Sequence, residues 1–238
     1  WKHRRQRQMC IRDSSSGDVK NTYGTGCFAL TNTGSDIVHS NNGLLSTVAY
    51  QKDGDNPQYA IEGSVSIAGA AVQWLRDNLN IIKESSDVEA LAMAEKDNGD
   101  VYFVPAFSGL FSPHWDETAR GVLVGLSRFS NKSHIARAVL ESVAYQSNEL
   151  LESMEKDIGI TFESVNVDGG MVVNNLLMQF QSDIFNKKVI SQEINEITAL
   201  GAGAASFLFI NNLPLENMNS FITQSVSYTH LRAHETHP

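Results

Sequence analysis

The sequence predicts an α/β fold in which antiparallel strands come first and helices then alternate with strands. Three β-rich runs occupy residues 20–67, and the apolar spacing then changes from that of strands to that of helices. From residue 131 onward, helical and strand patterns alternate, which favours crossover connections between parallel strands. The hydrophobic content of 42% is enough for a sizeable core.

The first part of the chain is expected to form a three-stranded meander. A glycine-rich turn, Tyr-Gly-Thr-Gly at 23–26, precedes the apolar run 27–30, and two further β-rich runs cover 44–50 and 59–65. Residues 53–57 read Asp-Gly-Asp-Asn-Pro, which is typical of a turn between the last two runs.

The remaining elements follow from periodicity and from capping signals. The clearest helix covers 131–156, because its apolar residues share one face and Gly159 is a typical helix end. An earlier helix is expected to begin near residue 66, with either Ser64 or Ser66 as its cap. The other predicted elements are helices at 66–79, 87–95, 174–185 and 198–210, strands at 101–104, 164–168 and 188–191, and an ordered loop at 106–130.

Composition and charge exclude several classes of protein. A formal net charge of −9 argues against nucleic acid as a partner, because phosphates would be repelled. No run approaches the ~18 apolar residues that a membrane helix needs, so no membrane insertion is expected. The N-terminus also lacks the apolar stretch of a signal peptide. With Cys10 and Cys27 as the only cysteines, a disulfide framework is not expected, and we expect a cytoplasmic protein.

The two ends differ chemically from the body of the chain. Residues 1–16 hold five basic residues and one acidic residue, and residues 225–238 hold three histidines. A basic nucleic-acid or membrane-surface arm and a metal-binding tail are the functional interpretations. We interpret both segments as non-native arms, because the strings RQMCIRDS and SVSYTHLRAHET resemble translated sequencing-adapter sequence. The domain itself is then expected to cover 17–219.

Three glycine-containing turns lie at element boundaries and could serve a phosphate group. They occupy 23–26, 66–71 and 168–170, where glycine lets a ligand approach backbone N–H groups and a following helix adds its positive end. Each is equally typical of a plain turn, and neither a Walker P-loop nor a Gly-x-Gly-x-x-Gly fingerprint is present. From the residues alone, the sequence indicates an α/β domain with possible nucleotide binding.

Other chemically suggestive residues have ordinary interpretations. Asp168 either coordinates magnesium or organises its own turn by side-chain to backbone bonds, and we prefer the turn. His114, Trp115 and Asp116 are interpreted as a structural loop without a catalytic role. Cys27 is expected to be a small buried residue, since nothing nearby suggests an activating base.

Five runs of sequence resemble one known family, in order along the chain. They read KNTYGTGCF, GAAVQWLRD, VPAFSGLFSPHWD, DGGMVVNNLLMQFQSDI and TALGAGAA, and begin at residues 20, 69, 104, 168 and 198. Together they resemble the C-terminal half of the FGGY carbohydrate kinases, and within that family the glycerol kinases. The resemblance covers roughly 17–219 and implies the C-terminal lobe of an actin-like, ribonuclease H-like ATPase fold.

The resemblance also implies roles for particular residues. Thr25 matches the threonine at the ATP phosphates, and Gly69 with Gln73 matches a second nucleotide-contacting pair. Gly170 and Asn174 match a third pair at the adenosine end. A sixth residue, Phe28, matches the aromatic side chain that packs against glycerol, although its spacing fits a core residue equally well.

The implied activity is ATP-dependent phosphorylation of glycerol to glycerol 3-phosphate, with ATP and Mg²⁺ as cofactors and a homo-oligomeric parent enzyme. The family's catalytic aspartate lies in an Ala-Gly-Asp-Gln-Gln run upstream of KNTYGTGCF, and no Asp-Gln-Gln occurs here. We therefore expect a truncated, inactive fragment with no catalytic residue of its own. The alternatives are another FGGY kinase acting on a pentulose or gluconate, a non-catalytic actin-like nucleotide-binding module, and a nucleic-acid-binding protein that uses the basic arm.

Overall fold

The computed structural model describes residues 17–51, 54–192, 197–213 and 225–229, and these contain nine strands and five helices. The strands are β1 (Val19–Tyr23), β2 (Cys27–Gly34), β3 (Leu45–Tyr50), β4 (Gln58–Val65), β5 (Tyr102–Val104), β6 (Val122–Val124), β7 (Ser164–Gly169), β8 (Lys188–Gln192) and β9 (Ser225–Tyr228). The helices are α1 (Gly69–Asp77), α2 (Asp87–Ala92), α3 (Lys132–Ile158), α4 (Asn175–Phe185) and α5 (Ile197–Ile210).

A mixed seven-stranded sheet in the order β3-β4-β2-β1-β7-β8-β9 forms the centre of the domain. Strands β1 to β4 pair antiparallel, whereas β7 runs parallel to β1 and β8 runs parallel to β7. Helices α3 and α4 connect towards these parallel strands, as the alternating pattern predicts. A separate antiparallel ribbon consists of β5 and β6.

The predicted strand order of the meander is wrong, although its three strands exist. In the sheet, β4 lies between β3 and β2, and β1 is a fourth strand that the sequence pattern did not indicate. The tight turn at 24–26 places β1 beside one edge of β2. The longer connection at 35–44 carries the chain past one strand position, so that β4 returns to the free edge of β2. The predicted loop at 106–130 likewise contains β6.

Two hydrophobic clusters hold the elements together. The larger lies between the sheet and the helices α3 and α4, and the smaller lies between α1, α2, β5 and the first turns of α3. Helix α3 borders both clusters and begins as predicted, with the Asn131 side chain accepting from the N–H groups of Ser133 and His134. It ends at Gly159, whose φ of 75° is left-handed, so the predicted C-terminal signal is confirmed.

Helix α1 begins later than expected and without a side-chain cap. Its N-cap is Ala68, so the prediction of Ser64 or Ser66 is wrong. The hydroxyl of Ser66 instead donates to the carbonyl of Gly109 at 3.2 Å. The caps of α1 come from backbone carbonyls of the turn between β1 and β2, a contact that shapes the candidate site.

The predicted arms lie mostly outside the described ranges. Residues 1–16 and 230–238 belong to that part, and the non-native origin of both arms stays a prediction. Strand β9 lies within the C-terminal arm and pairs antiparallel with β8. Among the described helices, none combines the length and apolarity that crossing a bilayer requires.

Candidate functional site

A cavity of about 420 Å³ opens where the β1–β2 turn, the start of α1, the start of α2 and the turn after β7 meet. This volume lies in the range typical of small-molecule sites. The lining is mixed, with apolar side chains, hydroxyl groups, two amides and one carboxylate. The residues that line it are Tyr23, Gly24, Thr25, Gly69, Val72, Gln73, Ser85, Ser86, Val88, Glu89, Leu140, Gly170, Met171, Val173 and Asn174.

Five of the six predicted binding residues lie on this one cavity. They come from three separate segments, and they are Thr25, Gly69, Gln73, Gly170 and Asn174. The sixth, Phe28, does not line the cavity. Its position in β2 is opposite Thr22 of β1, and its side chain is 40% exposed, so a core role does not fit the structure.

The β1–β2 turn is bonded to the start of α1. The N–H groups of Ala68 and Ala70 donate to the carbonyl of Thr25 at 2.8 and 3.1 Å, and that of Gly69 donates to the carbonyl of Gly24 at 3.0 Å. The first N–H groups of α1 therefore have backbone partners. The expectation that this helix end offers free N–H groups to a phosphate needs correction, because the turn carbonyls already occupy them.

Two glycines permit the close approach of the turns. A Cβ on Gly69 would lie 2.6 Å from the carbonyl oxygen of Gly24. Gly169 has a φ of +97°, and a Cβ there would lie 2.2 Å from the carbonyl oxygen of Tyr23. By contrast, a Cβ on Gly170 would meet nothing within 4 Å, so this residue leaves open space beside the cavity.

The far wall of the cavity is the start of α4, which two side chains cap. The amide oxygen of Asn174, the N-cap residue, accepts from the N–H of Leu177 at 2.8 Å. The carboxylate of Glu89 in α2 accepts from the N–H of Leu176, also at 2.8 Å. Because Asn174 is buried and bonded, the turn that contains Gly170 is fixed at both ends.

Buried polar side chains connect Tyr23, which precedes the β1–β2 turn, to the helices α4 and α3. The hydroxyl of Tyr23 donates to Gln181 of α4 at 2.7 Å, and the Gln181 amide donates to the carbonyl of Ala144 in α3 at 3.2 Å. Burial raises the pKa of Tyr23 well above its ordinary value. Burial likewise raises the pKa of Cys27 to about 12, so this thiol stays protonated and is the small buried residue that was expected.

Asp168 forms a buried ion pair. Its Oδ2 lies 2.8 Å from Nζ of Lys20, and their side chains are only 2% and 7% exposed. The contact is not aligned as a hydrogen bond, and neither carboxylate oxygen has another hydrogen-bond partner among the described residues. The preferred interpretation of Asp168 as the organiser of its own turn is therefore wrong. Its carboxylate makes no hydrogen bond to that turn, and Lys20 of β1 balances its charge.

No group of three or more potential metal ligands occurs within the ranges that the structure describes. The loop of His114 and Asp116 has the structural character that was expected. Its Asp116 carboxylate accepts from the N–H and hydroxyl of Thr118 at 2.8 and 2.7 Å, and His114 forms an exposed 2.9 Å contact with Glu149. The cavity is thus built largely from backbone turns, and its described lining residues form no metal-ligand cluster.

Residues 19–207 match the sequence profile of the FGGY family of carbohydrate kinases, C-terminal domain. The chain belongs to this family. Its actin-like fold is shared by a crystal structure of Plasmodium falciparum glycerol kinase with ADP, at a TM-score of 0.86 and 37% identity over 94% of this chain and 46% of that one. A ligand-bound xylulose kinase from Lactobacillus acidophilus shares the fold alone, at a TM-score of 0.82 and 20% identity, with 97% of this chain and 46% of that one covered.

Curated relatives of this FGGY domain include two glycerol kinases. The enzyme of Brucella anthropi is 61% identical over 203 residues, which is 85% of this chain. That of Methylobacterium radiotolerans is 57% identical over 203 residues, again 85% of this chain. The chain spans 40% of the length of either relative.

The FGGY resemblance gave five of the cavity residues, but reasoning from the sequence missed the contribution of α2. Val88 and Glu89 line the cavity from this short helix, and Ser85 and Ser86 line it from just before the helix. A Ser-Ser-Asp run at a helix start is a capping signal and indicates no ligand, so only the folded arrangement of α2 against α4 reveals these residues.

Proposed function

We propose that the chain is the nucleotide-binding lobe of a glycerol kinase, an enzyme that transfers the γ-phosphoryl group of ATP to glycerol and forms ADP and glycerol 3-phosphate. The observation that carries the proposal is the convergence of Thr25, Gly69, Gln73, Gly170 and Asn174 on one cavity. The 61% identity to the Brucella anthropi glycerol kinase supports glycerol as the substrate of the parent enzyme over a pentulose or gluconate.

The two ends of the cavity suit the two ends of a nucleotide. Thr25 offers a hydroxyl and a backbone N–H at the β1–β2 turn, which fits phosphate oxygens as acceptors. The wall formed by Val72, Val88, Met171 and Val173 is apolar and fits the faces of a purine ring. Half-exposed Phe28 fits the C–H face of glycerol. We assign to this lobe the positioning of the nucleotide, because positioning is the main contribution of a protein to phosphoryl transfer.

Magnesium does not fit the described residues of this lobe as a resident ion. They contain no group of three potential ligands, and the buried carboxylate of Asp168 in β7 already balances Lys20. The Mg²⁺ of a bound nucleotide would be held by phosphate oxygens and by groups outside this lobe. The catalytic carboxylate is also expected elsewhere, since the chain contains no Asp-Gln-Gln run. We therefore propose that this chain alone binds nucleotide and does not phosphorylate glycerol.

Titration calorimetry with ADP tests the binding proposal on the full 238-residue chain. Gly170→Ala and Gly203→Ala form a matched pair, because a Cβ has open space at both positions and only Gly170 lines the cavity. Gly170→Ala should weaken ADP binding at least about tenfold, since its methyl group would occupy ligand volume. Equal affinity of both variants and the wild type would contradict the assignment of the cavity.

Thr25→Ala separates the phosphate end from the rest of the site. Loss of a hydroxyl that donates to a charged phosphate should weaken ADP binding about tenfold or more, with adenosine binding unchanged. A coupled assay for ADP release with ATP, Mg²⁺ and glycerol should give no glycerol-dependent turnover. Turnover by the purified chain would show that the missing aspartate has a substitute.

A further inference from the structure

The start of α4 is capped from outside its own segment by a side chain that also lines the cavity. Glu89 belongs to α2, and its Oε1 accepts from the N–H of Leu176, 87 residues away, at 2.8 Å. Leu176 is the second residue of α4, where the N–H has no partner within the helix. Asn174 covers the next N–H, that of Leu177. The two side chains thus cap different N–H groups, and the contact of Glu89 also connects α2 to α4.

The charge of Glu89 is suited to this position. A carboxylate at a helix N-terminus is stabilised by the helix dipole, and no cation forms an ion pair with Glu89 within the described part of the chain. The neighbouring hydroxyl of Tyr228 donates to Asn175 at 2.7 Å. Burial raises the pKa of Tyr228, and the nearby Glu89 charge raises it further. The contact that the structure gives the Glu89 carboxylate is thus the backbone N–H of Leu176 at the start of α4.

The cap lies on the part of the cavity wall that α2 and the start of α4 contribute. Glu89, Val173 and Asn174 form the wall there, whereas Thr25 and Gly69 belong to the β1–β2 turn and the start of α1. Without the Glu89 contact, α2 would lose a polar bond to α4, and the wall between them could widen. The turn of Gly170 and Asn174 would lose rigidity with it.

We propose that Glu89 is a positioning residue for the nucleoside half of a bound nucleotide, acting through the start of α4 and the turn that precedes it. This inference rests on the proposed nucleotide-binding function. It goes beyond that function in one respect. We infer that a single hydrogen bond, from the N–H of Leu176 to the Glu89 carboxylate, sets the distance between α2 and α4. That distance in turn determines the affinity for the nucleoside.

The test compares Glu89→Ala, Glu89→Gln and the control Glu163→Gln, which changes an exposed carboxylate away from the cavity. Affinities for ADP and for inorganic pyrophosphate are measured by titration calorimetry on the full chain. Glu89→Ala should weaken ADP binding about tenfold and change pyrophosphate binding less than about twofold. Glu89→Gln keeps an acceptor oxygen and should recover most of the loss. A general loss of structure would weaken both ligands equally.

Hydrogen exchange of the Leu176 and Leu177 amides provides a readout that does not need a ligand. Glu89→Ala should speed exchange at Leu176 about tenfold, while Glu163→Gln leaves it unchanged. Unchanged ADP affinity in Glu89→Ala, or equal weakening of ADP and pyrophosphate, would overturn the inference and leave the proposed function intact. Failure of the wild type to bind ADP would instead overturn the proposed function, and unchanged exchange at Leu176 would show that the cap itself is absent.

Discussion

Replacing Lys20 by methionine should destabilise the domain strongly, because it leaves the Asp168 carboxylate buried and unpaired. The two charges lie 2.8 Å apart, with side chains 7% and 2% exposed. At an effective dielectric constant of about 20, their mutual attraction is about 6 kcal/mol, which the cost of removing both ions from water largely offsets. The pair therefore adds little net stability, whereas loss of one partner should cost about 3–5 kcal/mol.

Urea unfolding followed by circular dichroism at pH 7 measures this cost. The double variant Lys20→Met/Asp168→Asn should be more stable than either single variant by about 1–3 kcal/mol, since no uncompensated charge remains. The control is Lys156→Met, which breaks the exposed 3.8 Å pair with Glu152 and should cost about 0.3–0.5 kcal/mol. A loss below about 1 kcal/mol in Lys20→Met, or strictly additive losses in the double variant, would refute the reasoning.

Three further outcomes are expected. Gly169→Ala should cost more than about 3 kcal/mol in urea unfolding, because its Cβ would lie 2.2 Å from a backbone oxygen at a φ of +97°, whereas Gly170→Ala should unfold like the wild type. Tyr23→Phe should cost about 1–3 kcal/mol, since it leaves the buried oxygen of Gln181 without its 2.7 Å donor, and an unchanged midpoint would contradict that bond. The pKa of Cys27 is raised to about 12 in the folded state, so the unfolded chain loses this proton at lower pH and stability should fall by up to about 1.4 kcal/mol per pH unit above pH 9. Comparing alkaline unfolding midpoints of the wild type and Cys27→Ala checks this, and identical pH dependences would count against it.

The fold could be predicted where its signals are local. Helix α3 carries its own start and end, in Asn131 and Gly159, so its bounds follow from a short stretch of sequence. The order of the strands could not be predicted, because adjacency in a sheet depends on contacts between distant segments. Strand β1 escaped notice because its Val-Lys-Asn-Thr-Tyr sequence is polar, and Lys20 is buried only through its partner Asp168 in β7.

The candidate site was predictable to the extent that it resembles a family. Thr25 and Asn174 were identified by resemblance, whereas the turns that hold them are of a common kind. Glu89 could not be found in this way, since its partner Leu176 is 87 residues away and an isolated glutamate on a helix has no distinctive pattern. Asp168 was misread because the balancing charge lies on another strand.

The bonds between the β1–β2 turn and α1 also fix the direction of the opposite side of that turn. In a planar trans peptide, the C=O and N–H groups point in opposite directions. Because the carbonyls of Gly24 and Thr25 point towards the first residues of α1, the N–H groups of Thr25 and Gly26 point away from it. The start of the helix therefore sets the orientation of two peptide planes, and with it the direction of the N–H of Thr25, an exposed residue that lines the cavity.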